Sequence, residues 1–165
     1  MELLDRIRHY RRTKHAAALR RAGDPAGAVD AVAPVLVADP DNVHANAEMA
    51  RALRLLGDPA GAEEHLRTAL AAVLDYHLTV ELAEAVAEQG RGAEATVLLD
   101  GALSMADGAP RLDPGEALVV RAAIEHATGD DAAARASLDA IPRKRASRQT
   151  AALAERLRAR LDPGE

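Results

Sequence analysis

The feature that most constrains this chain is a six-residue phrase that it contains twice. Gly23-Asp24-Pro25-Ala26-Gly27-Ala28 returns letter for letter as Gly57-Asp58-Pro59-Ala60-Gly61-Ala62, thirty-four residues later. Self-similarity at a period of roughly 20–50 residues marks a repeat array, in which each unit buries its apolar face only by stacking on a neighbour. The phrase also has a mechanical reading. Glycine closes a helix in the left-handed conformation, aspartate caps the next helix, and proline suits that helix's first turn. Each copy is therefore expected to be the tight turn of a helix-turn-helix hairpin.

Composition sharpens this expectation. Hydrophobic residues make up 48% of the 165, yet the only aromatics are Tyr10 and Tyr76, so the core must be built from Leu, Val and above all Ala. Such an interior suits close helix packing and supplies few bulky pocket walls. The sequence has no cysteine, which excludes disulfides, thiolate metal sites and cysteine nucleophiles. No run approaches the roughly 20 apolar residues that span a bilayer, and the first residues lack a signal-length apolar stretch. The expected compartment is the cytoplasm. The net charge of -5 is unevenly spread: residues 1–22 carry +5, residues 143–165 carry +4, and the body between them carries -14. Basic ends around an acidic body permit electrostatic steering or contact between copies, although solvated helix faces have the same composition.

Taken in order, residues 2–21 read as a first helix with Leu3, Leu4, Ile7 and Tyr10 on one face, continued by Ala16 to Leu19. A second, at about 25–38, carries Ala28, Val29, Val32, Leu36 and Val37, with Pro34 expected to kink or loosen its exposed side. Asp39-Pro40-Asp41-Asn42 stops this helix and caps a third, which runs to Leu56 through Ala45, Met49, Ala52 and Leu53. A fourth passes through Ala62, Leu66, Ala69, Leu70 and Val73. Gly90 with Ala95, Ala102 and Leu103 follows at a spacing of thirty-three. Gly129-Asp130-Asp131 with Ala134 and Leu138 follows at thirty-nine, the extra length falling in Asp107-Gly108-Ala109-Pro110. The tail from Ala146 to Leu161 reads as a ninth helix with Ala151, Leu153, Leu157 and Leu161 on one side, a cap of the kind such arrays need. The phrase Arg111 to Glu116, which opens a helix, recurs as Arg160 to Glu165 and there caps nothing.

A 34-residue hairpin with a Gly-Asp turn, small Ala at the helix crossing and Asp-Pro-Asp-Asn at the unit boundary resembles a tetratricopeptide repeat. Gly23, Ala28, Asp39, Pro40 and Asn42 carry the resemblance in the first copy; Gly57, Ala62, Ala69 and Leu70 carry it in the second. It extends over about residues 9–142. It implies an all-α, right-handed superhelical stack of hairpins at about 2–40, 41–75, 76–107 and 113–142, with a capping helix at 145–161. Where the family places large aromatics, this chain has Arg12, Leu19 and Val32 in one copy and Asn46, Leu53 and Leu66 in the next.

The resemblance further implies a concave groove lined by the first helix of each hairpin. Its lining would include Tyr10, Thr13, Arg20 and Arg21, then His44, Arg51 and Arg54, then His77, Glu84 and Glu88. That series runs from basic to acidic, and an oppositely ordered peptide would complement it. The Lys/Asn/Arg clamp that some members use for a C-terminal carboxylate is absent, since Thr13, Ala17, Glu48, His77 and Glu81 stand at its places. The expected function is a non-catalytic scaffold or adaptor that binds a protein or peptide segment, with no cofactor and with Arg51 and Arg54 as central anchors.

Two other readings stand beside it. His44-x-x-x-Glu48 and His77-x-x-x-Glu81 each place two side chains one helical turn apart, and four such ligands would suit zinc or another divalent ion. The plainer reading is intrahelical His–Glu pairing. Self-assembly to a homo-oligomer through basic ends and acidic body is the other. Catalysis has little support: Ser104, Ser137 and Ser147 have no nucleophile setting, and no glycine-rich phosphate loop follows a strand. No aromatic interleaves the basic residues for base stacking, and the acidic body repels a polyanion, which argues against nucleic acid. The basic first helix would suit an anionic membrane surface, but Leu3, Leu4 and Ile7 are expected to be consumed in packing against the next hairpin.

Overall fold

The computed structural model describes residues 3–162. Among them the chain is all-α: α1 (Leu3–Arg21), α2 (Pro25–Ala38), α3 (Val43–Leu55), α4 (Pro59–Ala72), α5 (Tyr76–Glu88), α6 (Gly92–Asp107), α7 (Pro114–Ala127), α8 (Asp131–Asp139) and α9 (Arg148–Leu161). They form two compact units, Met1–Leu78 and Thr79–Glu165. Of the repeated Arg160 to Glu165 phrase, Pro163, Gly164 and Glu165 lie outside the described residues.

The turns are built as their residues dictate. Gly23, Gly57, Gly90 and Gly129 all have positive φ, between 79° and 87°. In each, the glycine N–H donates three residues back and the next N–H five residues back, as in Asp24 N to the Leu19 carbonyl and Asp130 N to the Glu125 carbonyl. This pair of hydrogen bonds closes the helix end in the Schellman manner and needs a residue that tolerates the left-handed conformation. Asp24, Asp58 and Asp130 then cap α2, α4 and α8 by accepting from Gly27 N, Gly61 N and Ala133 N. The second glycine of the phrase has a steric reason: a Cβ at Gly27 would stand 2.2 Å from Asp24 Oδ2, and one at Gly61 would stand 2.4 Å from Asp58 Oδ2. The third turn lacks this cap, with Arg91 in the aspartate's place.

In the first unit, Ala16, Ala28, Val32, Val35, Ala45, Met49 and Ala52 form one core across α1, α2 and α3. Alanine at the contacts lets helix axes approach closely and compensates for the missing aromatics. Asn46 illustrates another compensation. It is buried, and its amide donates to the Pro40 and Asn42 carbonyls at 2.7 and 3.1 Å, tying α3 to the preceding turn. Pro34 lies within α2 on its exposed side without ending the helix.

Several expected core faces are corrected. The buried side of α1 is His9, Thr13 and Ala16, while Leu3, Leu4, Ile7 and Tyr10 are 71, 69, 42 and 62% exposed. Apolar periodicity located the stripe but could not say that α2 packs on the opposite side of the helix. Val37 points to solvent and Val35 takes the core position. Val73 lies beyond the end of α4, where it is the C-terminal cap residue.

In the second unit, α7, α8 and α9 share a core of Val119, Ala122, Ala134, Leu138, Ala154, Leu157 and Leu161. The capping role of α9 holds, but its packed stripe is Thr150, Ala154, Leu157 and Leu161; Ala151 and Leu153 are exposed. The longer connection after α6 is held by Arg145, whose Nη2 donates to the carbonyls of Ala106, Ala109 and Leu112 at 2.7, 3.1 and 3.0 Å. Asp113 then joins the starts of α7 and α9 by accepting from Gly115 N, Ser147 N and Thr150 Oγ1. Part of the basic tail is thus internal structure.

Candidate functional site

A charged constellation of the first unit lies where α1 and α3 run side by side. Glu48 is buried on α3, and two arginines converge on its carboxylate. Arg20 Nε, from the last turn of α1, donates to Oε2 at 3.1 Å. Arg51 Nη1, one turn further along α3, donates to Oε1 at 2.6 Å. The Glu48 side chain is 10% exposed, against 22% for Arg20 and 31% for Arg51. A carboxylate withdrawn from water in this way requires such charge-assisted bonds, and it fixes both guanidinium groups in return. Arg21 is exposed beside Arg20, with Nε donating to the Ala17 carbonyl at 2.9 Å. Arg54, half-buried, follows one turn after Arg51. Arg20 and Arg51 thus both bear on one buried carboxylate, Glu48.

His44 is exposed at the start of α3. Tyr10 is exposed, with the Lys14 ammonium 5.8 Å from its ring centre. Thr13 is buried, and its hydroxyl donates to the His9 carbonyl at 2.9 Å. His77 is exposed, edge-on to the buried Tyr76 ring at 5.1 Å. Glu84 is half-buried and Glu88 exposed, both on the part of α5 that belongs to the second unit.

The metal reading loses its central ligand. The Glu48 carboxylate that was to act with His44, His77 and Glu81 is occupied by Arg20 and Arg51. Among the described residues, no group of three or more His, Cys, Asp or Glu side chains could hold a metal ion. Neither helix is long and apolar enough to cross a membrane, nor is any other among the described residues.

Sequence reading missed a second feature, the contact between Asn46 on α3 and His65 on α4. Asn46 Oδ1 lies 2.7 Å from His65 Nδ1. Because the Asn46 amide nitrogen already donates to two carbonyls, its oxygen accepts, which assigns a proton to His65 Nδ1. Burial lowers the His65 pKa below 6.5, and Glu64 opposes this only in part. The neutral imidazole therefore serves as a structural donor. The two residues are nineteen apart in different helices, and no local spacing announces the pair.

Residues 19–79 match the family model of the tetratricopeptide repeat. Among solved structures, the chain is similar to PilW, described as a widely conserved type IV pilus biogenesis factor. The two are 21% identical with a TM-score of 0.75, over 99% of this chain and 70% of that one. It is also similar to MamA, at 18% identity and a TM-score of 0.65, over 90% of this chain and 83% of that one. At these identities the likeness is one of fold. No curated protein matches the chain.

Proposed function

We propose that this chain, whose residues 19–79 match the family model of the tetratricopeptide repeat, is a non-catalytic scaffold whose α1–α3 face holds an acidic segment of a partner protein. The match to the tetratricopeptide-repeat model supports a protein-interaction scaffold in general. The observation that supports the finer reading is the convergence of Arg20 and Arg51 on Glu48. Two guanidiniums held in place by a buried carboxylate bind a further carboxylate without first losing their own rotamer freedom. Arg20 is bonded to Glu48 through Nε, and its planar Nη pair is a donor set to which a second carboxylate can bind. Arg21 is exposed in the last turn of α1, Arg54 is half-buried one turn after Arg51, and exposed His44 lies toward the other end of α3.

The test is titration of the full chain with fluorescent peptides of equal length, one rich in Asp and Glu, the other rich in Lys. Arg21→Glu with Arg54→Glu serves as the variant, since it leaves the Glu48 pairs intact. The acidic peptide should bind the wild type, weaken with added salt, and bind the variant at least about tenfold less well. Equal affinity for both peptides, or for both proteins, would remove the assignment.

A further inference from the structure

We infer that the first three turns of α1 form a peripheral docking surface for a bilayer with anionic headgroups. The inference is independent of the α1–α3 arginine face and rests on different side chains. Leu3, Leu4, Ile7 and Tyr10 are the apolar residues that the periodicity of α1 assigns to a core, yet all four are exposed. At about 100° per residue they fall within a sector of roughly 120°. The buried residues His9, Thr13 and Ala16 occupy the opposite side. Packing within the first unit therefore uses one side of α1 and leaves a second, apolar side to solvent. Arg11 and Lys14 continue the same exposed sector toward the C-terminus, and Arg6, Arg8 and Arg12 flank it. Against these five cations the helix has Asp5 alone, which is paired to Arg8 at 3.1 Å.

This combination selects the occupant. An apolar stripe with cations beside it is the pattern of a helix that lies in the interface, its aliphatic side chains among the acyl chains and its arginines at headgroup level. Tyr10, with the Lys14 ammonium near its ring, stands where stripe gives way to charge, a position suited to an amphipathic ring at the boundary. A second copy docked through the same face would set five cations against five, whereas anionic lipid neutralises them. The surface is the outer side of a single helix, so it requires a partner that deforms around it, as a bilayer does. The helix would lie on the membrane and not cross it, consistent with its charge.

Flotation of the full chain with vesicles tests this. One set consists of phosphatidylcholine, the other of phosphatidylcholine mixed with phosphatidylglycerol. Wild type should float with the anionic vesicles, stay behind with the neutral ones, and be released by added salt. Leu3→Glu with Ile7→Glu alters only exposed side chains and should lower the bound fraction by about tenfold or more at unchanged helicity. Arg6→Glu with Arg11→Glu should do the same. Failure of wild type to float with anionic vesicles would overturn the inference, as would equal flotation of the Leu3/Ile7 variant. So would a concentration-dependent oligomer of wild type that the Leu3/Ile7 variant abolishes, since the stripe would then be covered by a second copy.

Discussion

Arg20 of α1 and Glu48 of α3 meet across two successive hairpins, with Nε donating to Oε2 at 3.1 Å. They lie twenty-eight residues apart, and their contact depends wholly on how the hairpins pack. With Arg51 on the other carboxylate oxygen, Glu48 joins helix packing to the charge of the proposed binding face.

A double-mutant cycle measures that relationship. Arg20→Ala and Glu48→Ala, singly and together, should give a coupling energy of about 1 kcal/mol in urea denaturation. Glu48→Ala should be the more damaging single change, because it leaves two fixed guanidiniums facing each other. Additive effects within error would mean that the pair contributes neither stability nor order.

The turn glycines should be sensitive for a conformational reason alone. A Cβ at Gly23 or Gly129 would meet nothing within 4 Å, yet their φ values are +87° and +85°. Alanine at either position should cost about 1–2 kcal/mol in thermal or chemical unfolding. Neutral substitution would show that the turn relaxes freely. Asp24→Ala, which removes the cap on Gly27 N, should cost about 1 kcal/mol by the same assay.

His65 gives the fold a pH dependence of definite sign. Its folded pKa lies below the unfolded value of 6.5 because burial disfavours the imidazolium. Between the two values the unfolded chain binds more protons, so stability rises with pH there. The contribution is complete above 6.5 and is lost as pH falls toward the folded pKa. His65→Asn, whose amide nitrogen stands in for Nδ1, should flatten the stability profile between pH 7.5 and 5.5. An unchanged slope would place the titration elsewhere.

Arg145→Ala should destabilise the second unit by about 2 kcal/mol, since three carbonyls lose a charged donor at once. Hydrogen exchange should accelerate first in the segment between α6 and α7. Unaltered exchange there would mean that backbone hydrogen bonds alone hold the connection.

Legibility in the sequence followed the range of each interaction. Gly23, Asp24 and Pro25 act within a few residues of one another, and so the turns, caps and helix bounds could be read directly. The same holds for Gly90 and Gly129, where the phrase is degraded but the left-handed requirement persists. Which face of α1 is buried could not be read, because two faces carry Ala or aliphatic residues and only the position of α2 decides between them. Asn46 with His65, Glu48 with Arg20, and Arg145 with Ala106 escaped for a related reason: each joins residues nineteen or more apart. The His44 and Glu48 spacing was visible, but not that arginines from two helices would occupy the carboxylate.

The most direct test of the binding claim is an amide chemical-shift map of the full chain titrated with an acidic peptide. The largest changes are expected at Arg20, Arg21, His44, Arg51 and Arg54, diminishing as salt is added. Changes confined to the second unit, or none at saturating peptide, would contradict it.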